Sequence, residues 1–478
     1  MSPRRRLLLL AALLAVGLLL AVGWWGAGTR APARAARPGP KPNVVMVVVD
    51  TLRADRLGAY GNQRGLTPFL DSLAARGTLF ARAYANSSWT CPSVASLFTS
   101  RYPTQHHVVG FASSLAPSER TLAEALADAG YRNGGFTANF RLTPELGYAQ
   151  GFTYWGAYVP NVTQGEAAAK IRGGRLREEA ESWILGSRIL PAKQPFFLYF
   201  QLMETHAPYE PPAPFRARFA PPGEIDDAAA MQKLLQPAIG LKGLAGPQLG
   251  RMLQLYDGEV ASADEELRQL FERLTALGVL TDDSVIIVTA DHGEEFGEHG
   301  QLLHGITLYE PAIRVPLLVI GPDVVAGQIV TEPVALLDLA PTLLDLLGLP
   351  AEASFEGTSL APRLRGEAEA PHPLGVVSEL ERVNPKGIEM RMHGRALTQG
   401  ANKTLLTPHG GLEVYDLGSD PGERVPLAGD RAVQVAGAIA PLAAQHAALA
   451  ARAAEAGHES AVLDDATKEK LRALGYHD

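Results

Sequence analysis

Asp50, Thr90, His206, Asp291, His292 and His304 are residues whose types and settings could together cleave an ester. They lie in four short segments, VVMVVVDTLRAD, SSWTCPSVASLFTSRYP, LMETHAPYEPP and VIIVTADHGEEFGEHGQLLHG. Asp50, Asp291 and His292 offer two hard oxygen donors and one imidazole, which would hold a divalent cation and leave it only partly saturated. Thr90 could complete the set. An unassisted threonine hydroxyl is a poor nucleophile at neutral pH, and metal coordination is what would generate its alkoxide. Small hydroxyl residues surround it, and a helix is predicted to start near Pro92, so N-terminal donors would favour a developing anion. Two imidazoles beside such a centre, His206 and His304, could hold the anionic oxygens of a tetrahedral ester, protonate a leaving group or bind a second cation. Asn139, Arg53 and Asp55 are further candidates for substrate contact. His106, His107 and His299 read as supporting or surface residues.

The elements that must position these side chains follow from the pattern. Val44–Val49, Phe196–Leu202, Val285–Thr289 and residues 315–322 are apolar runs of strand length. Helical candidates alternate with them, including TPFLDSLAARG, SERTLAEALADAG and a long one over 249–278. Strands separated by helices predict an α/β fold whose mainly parallel central sheet is sandwiched by helices. Asp50, His206 and Asp291 follow such strands, at the sheet edge where ligands bind in open α/β sheets. The Leu-rich stretch ALLDLAPTLLDLLGLP reads as core. Residues 375–416 hold short alternating stretches, GRALTQGANKTLLTP and GLEVYDL, predicting a small antiparallel sheet, followed by an Ala-rich helix from about 431 to 456 and a shorter one at ATKEKLRALG. Stretches 140–190 and 211–248 are Pro- and Gly-punctuated insertions, expected as loops over the site.

The organisation predicted is an anchor over 1–28, a flexible linker over 29–42, a catalytic domain over 43–360, an antiparallel subdomain over 361–428 and a helical tail over 429–478. The anchor rests on MSPRRR, an uncharged run over 7–22, and Trp24 and Trp25. That run exceeds the ~15 residues of a signal-peptide core and approaches the ~20 that span a bilayer. The expected location is thus the inner membrane, with the catalytic part in the periplasm or outside the cell; secretion after cleavage near ARAARPG is the alternative. With 46% hydrophobic residues among 478, the chain can bury a large core and a second, smaller one. A net charge of −8 gives no basic surface for nucleic acid. The one cysteine, Cys91, excludes an internal disulfide.

From Pro42 to about Leu427 the chain resembles the sulfatase branch of the alkaline phosphatase superfamily. The resemblance lies in PNVVMVVVDTLRADRLGAYG, PSVASLFTSRYPTQHHV, LAEALADAGYR, HAPYEPP, IVTADHGEEFGEHG, LYEPAIRVPLLVIGP and LEVYDLGSDPGE, in that order. It implies the same α/β core with a small C-terminal antiparallel sheet plus helix. Two departures stand out. Sulfate-cleaving members carry Cys-X-Pro-X-Arg, with the cysteine oxidised to formylglycine. In register with Pro92, Thr90 stands at the cysteine position and Val94 at the arginine position, while Cys91 is one place late. No formylglycine is expected. The lysine and histidine those members place after AGYR are replaced by TANF, Thr137 to Phe140.

These substitutions are similar to the threonine-nucleophile members, the phosphoethanolamine transferases, lipoteichoic acid synthases and nucleotide phosphodiesterases. The resemblance implies a metal held by Asp50, Thr90, Asp291 and His292, with His206 and His304 on the substrate side. Zinc or manganese is favoured over calcium, because imidazole suits softer ions. The expectation is a metal-dependent hydrolase or transferase of the cell envelope, acting through Thr90 on phosphate esters in preference to sulfate esters. Its partner would be a small-molecule, glycan or lipid ester. Two alternatives stand beside it, a sulfuric ester hydrolase lacking formylglycine and a catalytically silent binding module.

Overall fold

A computed structural model of the chain describes residues 40–110, 113–157, 170–187, 189, 194–222, 246–367, 375–382, 392–408 and 410–456. The anchor over 1–28, nearly all of the linker and the short helix expected at 466–475 lie outside them.

Eight strands form the central sheet. In chain order they are β1 (Val44–Val49), β2 (Thr78–Phe80), β3 (Arg132–Thr137), β4 (Tyr154–Ala157), β5 (Phe196–Leu202), β6 (Val285–Thr289), β7 (Leu317–Ile320) and β8 (Gln328–Val330). Their spatial order is β8-β2-β7-β6-β1-β5-β3-β4. Only β7 runs against the others, antiparallel to both β6 and β2. The predicted strand over 315–322 is shorter because Arg314 and Val315 instead pair with Ala83 and Tyr84 in a separate small sheet. β1 lies between β5 and β6 and is wholly buried, as is β5, as expected for parallel strands covered on both faces.

Among the described residues, the helices that flank the sheet include α1 (Pro68–Ala74), α2 (Thr90–Thr99), α3 (Leu122–Asp128), α4 (Gly173–Gly186) and α5 (Gly246–Ala276). α4 corrects the expectation that all of 140–190 loops over the site. Its Leu176, Ala180, Trp183 and Ile184 form an apolar stripe at helical spacing, and Trp183 packs on Phe136 of β3 and Phe196 of β5. Gly134 and Gly135 permit this closeness from opposite faces of β3: a Cβ at Gly134 would lie 2.8 Å from the Trp183 ring, and one at Gly135 2.2 Å from Trp155. In the Leu-rich stretch, Leu336, Leu337, Leu339, Leu343 and Leu344 are core residues as predicted, the last three on helix α6 (Leu339–Leu346).

Towards the C-terminus, β9 (Val376–Arg382), β10 (Met392–Gln399), β11 (Asn402–Leu406) and β12 (Leu412–Asp416) form an antiparallel meander. Helix α7 (Gly429–Ala456) covers it, and Val435, Ile439 and Leu442 meet Val377, Leu397 and Val414 in a second core. Among the described residues, Gly429–Glu455 is the one helix long and apolar enough to cross a membrane, yet this face of it is taken up by the sheet.

A buried ion cluster joins the small sheet to the catalytic part. Lys403 of β11 is fully buried and its Nζ lies 3.1 Å from Glu310 Oε1 and 2.6 Å from Glu423 Oε1. Glu423 also accepts the Glu310 backbone N–H at 2.6 Å, and Glu310 accepts the Tyr84 hydroxyl at 3.3 Å. Removing the cation leaves two carboxylates buried without compensation. Lys403→Met is therefore expected to cost about 3–5 kcal/mol, read as a lower urea midpoint with an unchanged slope.

Candidate active site

The parallel register of β1 and β6, which pairs Val48 with Thr289, delivers Asp50 and Asp291 side by side at the carboxyl edge of the sheet. β5 ends beside them, with Gln201 between the two carboxylates. Its Nε2 donates to Asp50 Oδ2 at 3.2 Å and to Asp291 Oδ2 at 3.3 Å, and its Oε1 accepts the Tyr199 hydroxyl. Asn139, just past β3, donates to Asp50 Oδ2 at 2.7 Å and Thr90 Oγ1 at 3.3 Å. His292 Nε2 stands 3.3 Å from Thr90 Oγ1, 3.6 Å from Asp291 Oδ2 and 3.7 Å from Asp50 Oδ1. Thr90 Oγ1 is 3.5 Å from Asp50 Oδ2. One ligand atom from each of Asp50, Asp291 and His292 lies within 4.8 Å of the others, in a fully buried group.

The backbone is bent to make this arrangement. Thr51, β-branched, takes a left-handed conformation with φ +59°, a sparsely populated region for such a residue. There its N–H reaches Asp291 Oδ1 at 3.3 Å, while its carbonyl accepts the Tyr256 hydroxyl at 2.7 Å. Thr205 donates its hydroxyl to the Asp50 carbonyl. After His292 the chain passes so close to the 311–312 backbone that a Cβ on Gly293 would lie 2.0 Å from the Pro311 carbonyl oxygen, so that position requires glycine. Ser93 of α2 donates to the Asp291 carbonyl at 2.5 Å.

The imidazoles are oriented by their Nδ1 atoms. His292 Nδ1 is 3.0 Å from the Gly293 carbonyl, which can only accept, so the proton is on Nδ1 and the Nε2 lone pair faces the carboxylates. Burial, helped by His304, lowers its pKa to about 4 and keeps the ring neutral near pH 7. His304 Nδ1 meets Glu294 Oε1 at 2.8 Å, and His206 Nδ1 meets the Ala207 carbonyl at 2.6 Å. The His304 ring centre lies 4.5 Å from that of His292 and 5.0 Å from that of His206. Burial and then the Asp50 carboxylate raise the pKa of Asp291 well above its ordinary range.

α2 begins at Thr90 itself, two residues before the predicted start, and its first turn has no side-chain cap. Thr90 Oγ1 faces the acidic group, whereas the next residue, Cys91, is fully buried in the hydrophobic core along with Val94. The helical advance of about 100° per residue separates the two. Of the other candidates, Asn139 binds Asp50 and Thr90 directly. Arg53 pairs with Asp55 at 2.8 Å and reaches Glu298, in the loop after His292, at 2.6 Å. His106 is fully buried between Ser96 Oγ and the Val108 N–H, and burial lowers its pKa to about 3. Three residues of this neighbourhood were not predicted. Gln201 was signalled only as the polar interruption of FFLYFQL, Glu294 as the acid after Asp-His-Gly, and Tyr209 by nothing local.

Asp50 Oδ1 is buried with no hydrogen-bond partner, and the donors around it are two carboxylates, a neutral imidazole nitrogen and a hydroxyl. An unpaired buried anionic oxygen is costly, and a divalent cation is the complement such donors fit.

Residues 42–349 match the sulfatase family. Relatives include arylsulfatase K of Canis lupus familiaris, 26% identical over 88% of this chain and 85% of the relative. The delta 4,5-hexuronate-2-O-sulfatase of Bacteroides thetaiotaomicron is 26% identical, covering 83% and 86%. Human N-acetylglucosamine-6-sulfatase is 30% identical, covering 74% and 68%. Among solved structures, the phosphonate monoester hydrolase of Agrobacterium radiobacter shares the fold, with a TM-score of 0.69 at 23% identity over 86% of this chain and 96% of that one. With the match spanning the whole central sheet and the whole candidate centre, the chain belongs to the sulfatase family of ester hydrolases in the alkaline phosphatase superfamily.

Proposed function

We propose that the protein cleaves phosphate esters by a two-step displacement in which Thr90 is the nucleophile. The observation that carries this is the placement of Thr90 Oγ1, 3.5 Å from Asp50 and 3.3 Å from His292 at the head of an uncapped helix, with Cys91 turned into the core. Asp50, Thr90, Asp291 and His292 would hold one divalent cation, zinc or manganese before calcium given the imidazole. When bound, such an ion lowers the pKa of a coordinated hydroxyl and neutralises the oxygens of the ester. Asn139 and Gln201 fix the carboxylates. Thr90 attacks phosphorus, the α2 amides face the developing anion, His304 or His206 assists the departing group, and water or an acceptor alcohol resolves the phosphothreonine.

Phosphorus is preferred on chemical grounds. A formylglycine hydrate expels sulfate by reverting to the aldehyde, an exit that a sulfated threonine lacks. Phosphothreonine, by contrast, is open to attack at phosphorus. The names of the relatives support a second reading, cleavage of a sulfate ester on a sugar by a threonine route. A silent binding module is disfavoured by the buried group of competent ligands. The N-terminal segment over 1–28 is proposed as the anchor that keeps the catalytic part, 43–360, and the modules at 361–428 and 429–478 at the cell envelope.

Turnover of bis-nitrophenyl phosphate and nitrophenyl sulfate, measured side by side, separates the first two readings. Thr90→Ala, assayed at saturating metal, is expected to lower phosphodiester turnover at least ~10³-fold; full turnover in that variant sinks the nucleophile assignment. A second prediction concerns stability. A carboxyl whose folded pKa exceeds its unfolded value of 3.8 keeps its proton after the unfolded chain has lost it, so stability falls as pH rises above that value. Metal-free protein should show this loss through Asp291, at up to ~1.4 kcal/mol per pH unit. Asp291→Asn should flatten the slope and raise metal-free stability at pH 7 while abolishing metal uptake, as followed by thermal unfolding across pH and by metal analysis.

A further inference from the structure

Glu294 is fully buried, two residues beyond His292, and takes no part in the ligand group. One of its oxygens, Oε1, stands 2.8 Å from His304 Nδ1; the other, Oε2, accepts the hydroxyl of buried Tyr209 at 2.9 Å. Both ends of this chain of contacts are fixed to the framework. The Glu294 N–H donates to the Pro311 carbonyl at 2.9 Å and its carbonyl accepts from Arg53 Nη1 at 3.0 Å. On the other side, Leu303 takes a positive φ of +66° and the Gly305 N–H donates to the Ser88 carbonyl at 2.8 Å, two residues before Thr90. His304 is thereby held beside His292 and His206 with its Nδ1 committed, and acid–base work falls to Nε2.

We propose that Glu294, itself held by Tyr209, is a positioning residue that orients His304 and fixes its proton on Nδ1, making Nε2 the atom that protonates the leaving group. The proposal rests on the Thr90 displacement. In the first step the Thr90 Oγ–P bond forms and the ester P–O bond breaks, and the departing oxygen takes the proton from His304 Nε2. The Thr90 proton has left to solvent on ionisation of the hydroxyl. In the second step water attacks phosphorus, its proton passes to His304 Nε2, and the P–Oγ bond breaks, with Thr90 regaining a proton from solvent. Through both steps the proton stays on His304 Nδ1, donated to Glu294 Oε1. General acid help of this kind is worth about 10²–10⁴-fold for a poor leaving group.

The test compares two esters that differ only in the departing alcohol, nitrophenol or phenol, using whichever ester class, phosphodiester or sulfate, the wild-type protein turns over. Nitrophenolate departs without a proton and phenolate gains from one. Glu294→Gln should lower kcat about 10²-fold on the phenyl ester and less than ~10-fold on the nitrophenyl ester, with KM, metal content and thermal midpoint close to wild type. Tyr209→Phe should move in the same direction by less. Equal losses on both esters, or none, overturn the proposal. Nitrogen-15 shifts of the His304 ring give an independent reading: a protonated Nδ1 in wild type that is lost in Glu294→Ala supports it, and an unchanged ring contradicts it. This leaving-group pattern for Glu294→Gln, seen together with a fully active Thr90→Ala, supports the positioning role and overturns the nucleophile assignment alone.

Discussion

Two carboxylates, those of Asp50 and Asp291, are buried side by side at the end of adjacent parallel strands, and among the described residues neither bonds to a lysine or arginine. Like charges so placed repel one another and have lost their water, a cost repaid only by a cation or by protons. The surroundings are arranged around that constraint. Thr51 accepts a left-handed backbone to aim its N–H at Asp291, Gly293 gives up a side chain so that the following turn can close, and Gln201 and Asn139 spend their amides on the carboxylates. The neutral His292 and the Thr90 hydroxyl complete a donor set in which every atom is an oxygen or an imidazole nitrogen.

The same geometry bears on which residue of the Thr90–Cys91 pair reaches the acidic group. A helix starting at Thr90 can present only one of two successive residues to the acidic group, and here threonine is presented while cysteine is packed into the core. Val94, at the position of the family's arginine, is likewise a core residue. Beside the group that could hold a cation stand two further imidazoles, His206 and His304, the latter in contact with Glu294.

Much of this was legible in the sequence, for identifiable reasons. β1, β5 and β6 are apolar on every residue, so their length and order announced a parallel sheet, and acids placed directly after two of them announced the edge. The C-terminal meander showed itself through alternation. Less legible were features set by long-range register. β7 reads like any buried strand, and its reversed direction follows from pairing with β2 and β6, which no local pattern encodes. α4 was hidden within an apparent insertion because an Arg- and Glu-rich exposed face masks its four-residue apolar stripe. Gln201 and Tyr209 escaped notice since a polar strand end and a buried tyrosine take meaning only from their partners.

The most direct measurement is metal analysis of the soluble fragment from Lys41 onward, with intact mass and peptide mapping after brief exposure to a nitrophenyl phosphodiester and to its sulfate counterpart. One equivalent of zinc or manganese, with a phosphoryl adduct on the peptide that contains Thr90, is the expected result. Bound calcium, no adduct on Thr90 and turnover of the sulfate ester alone would contradict it.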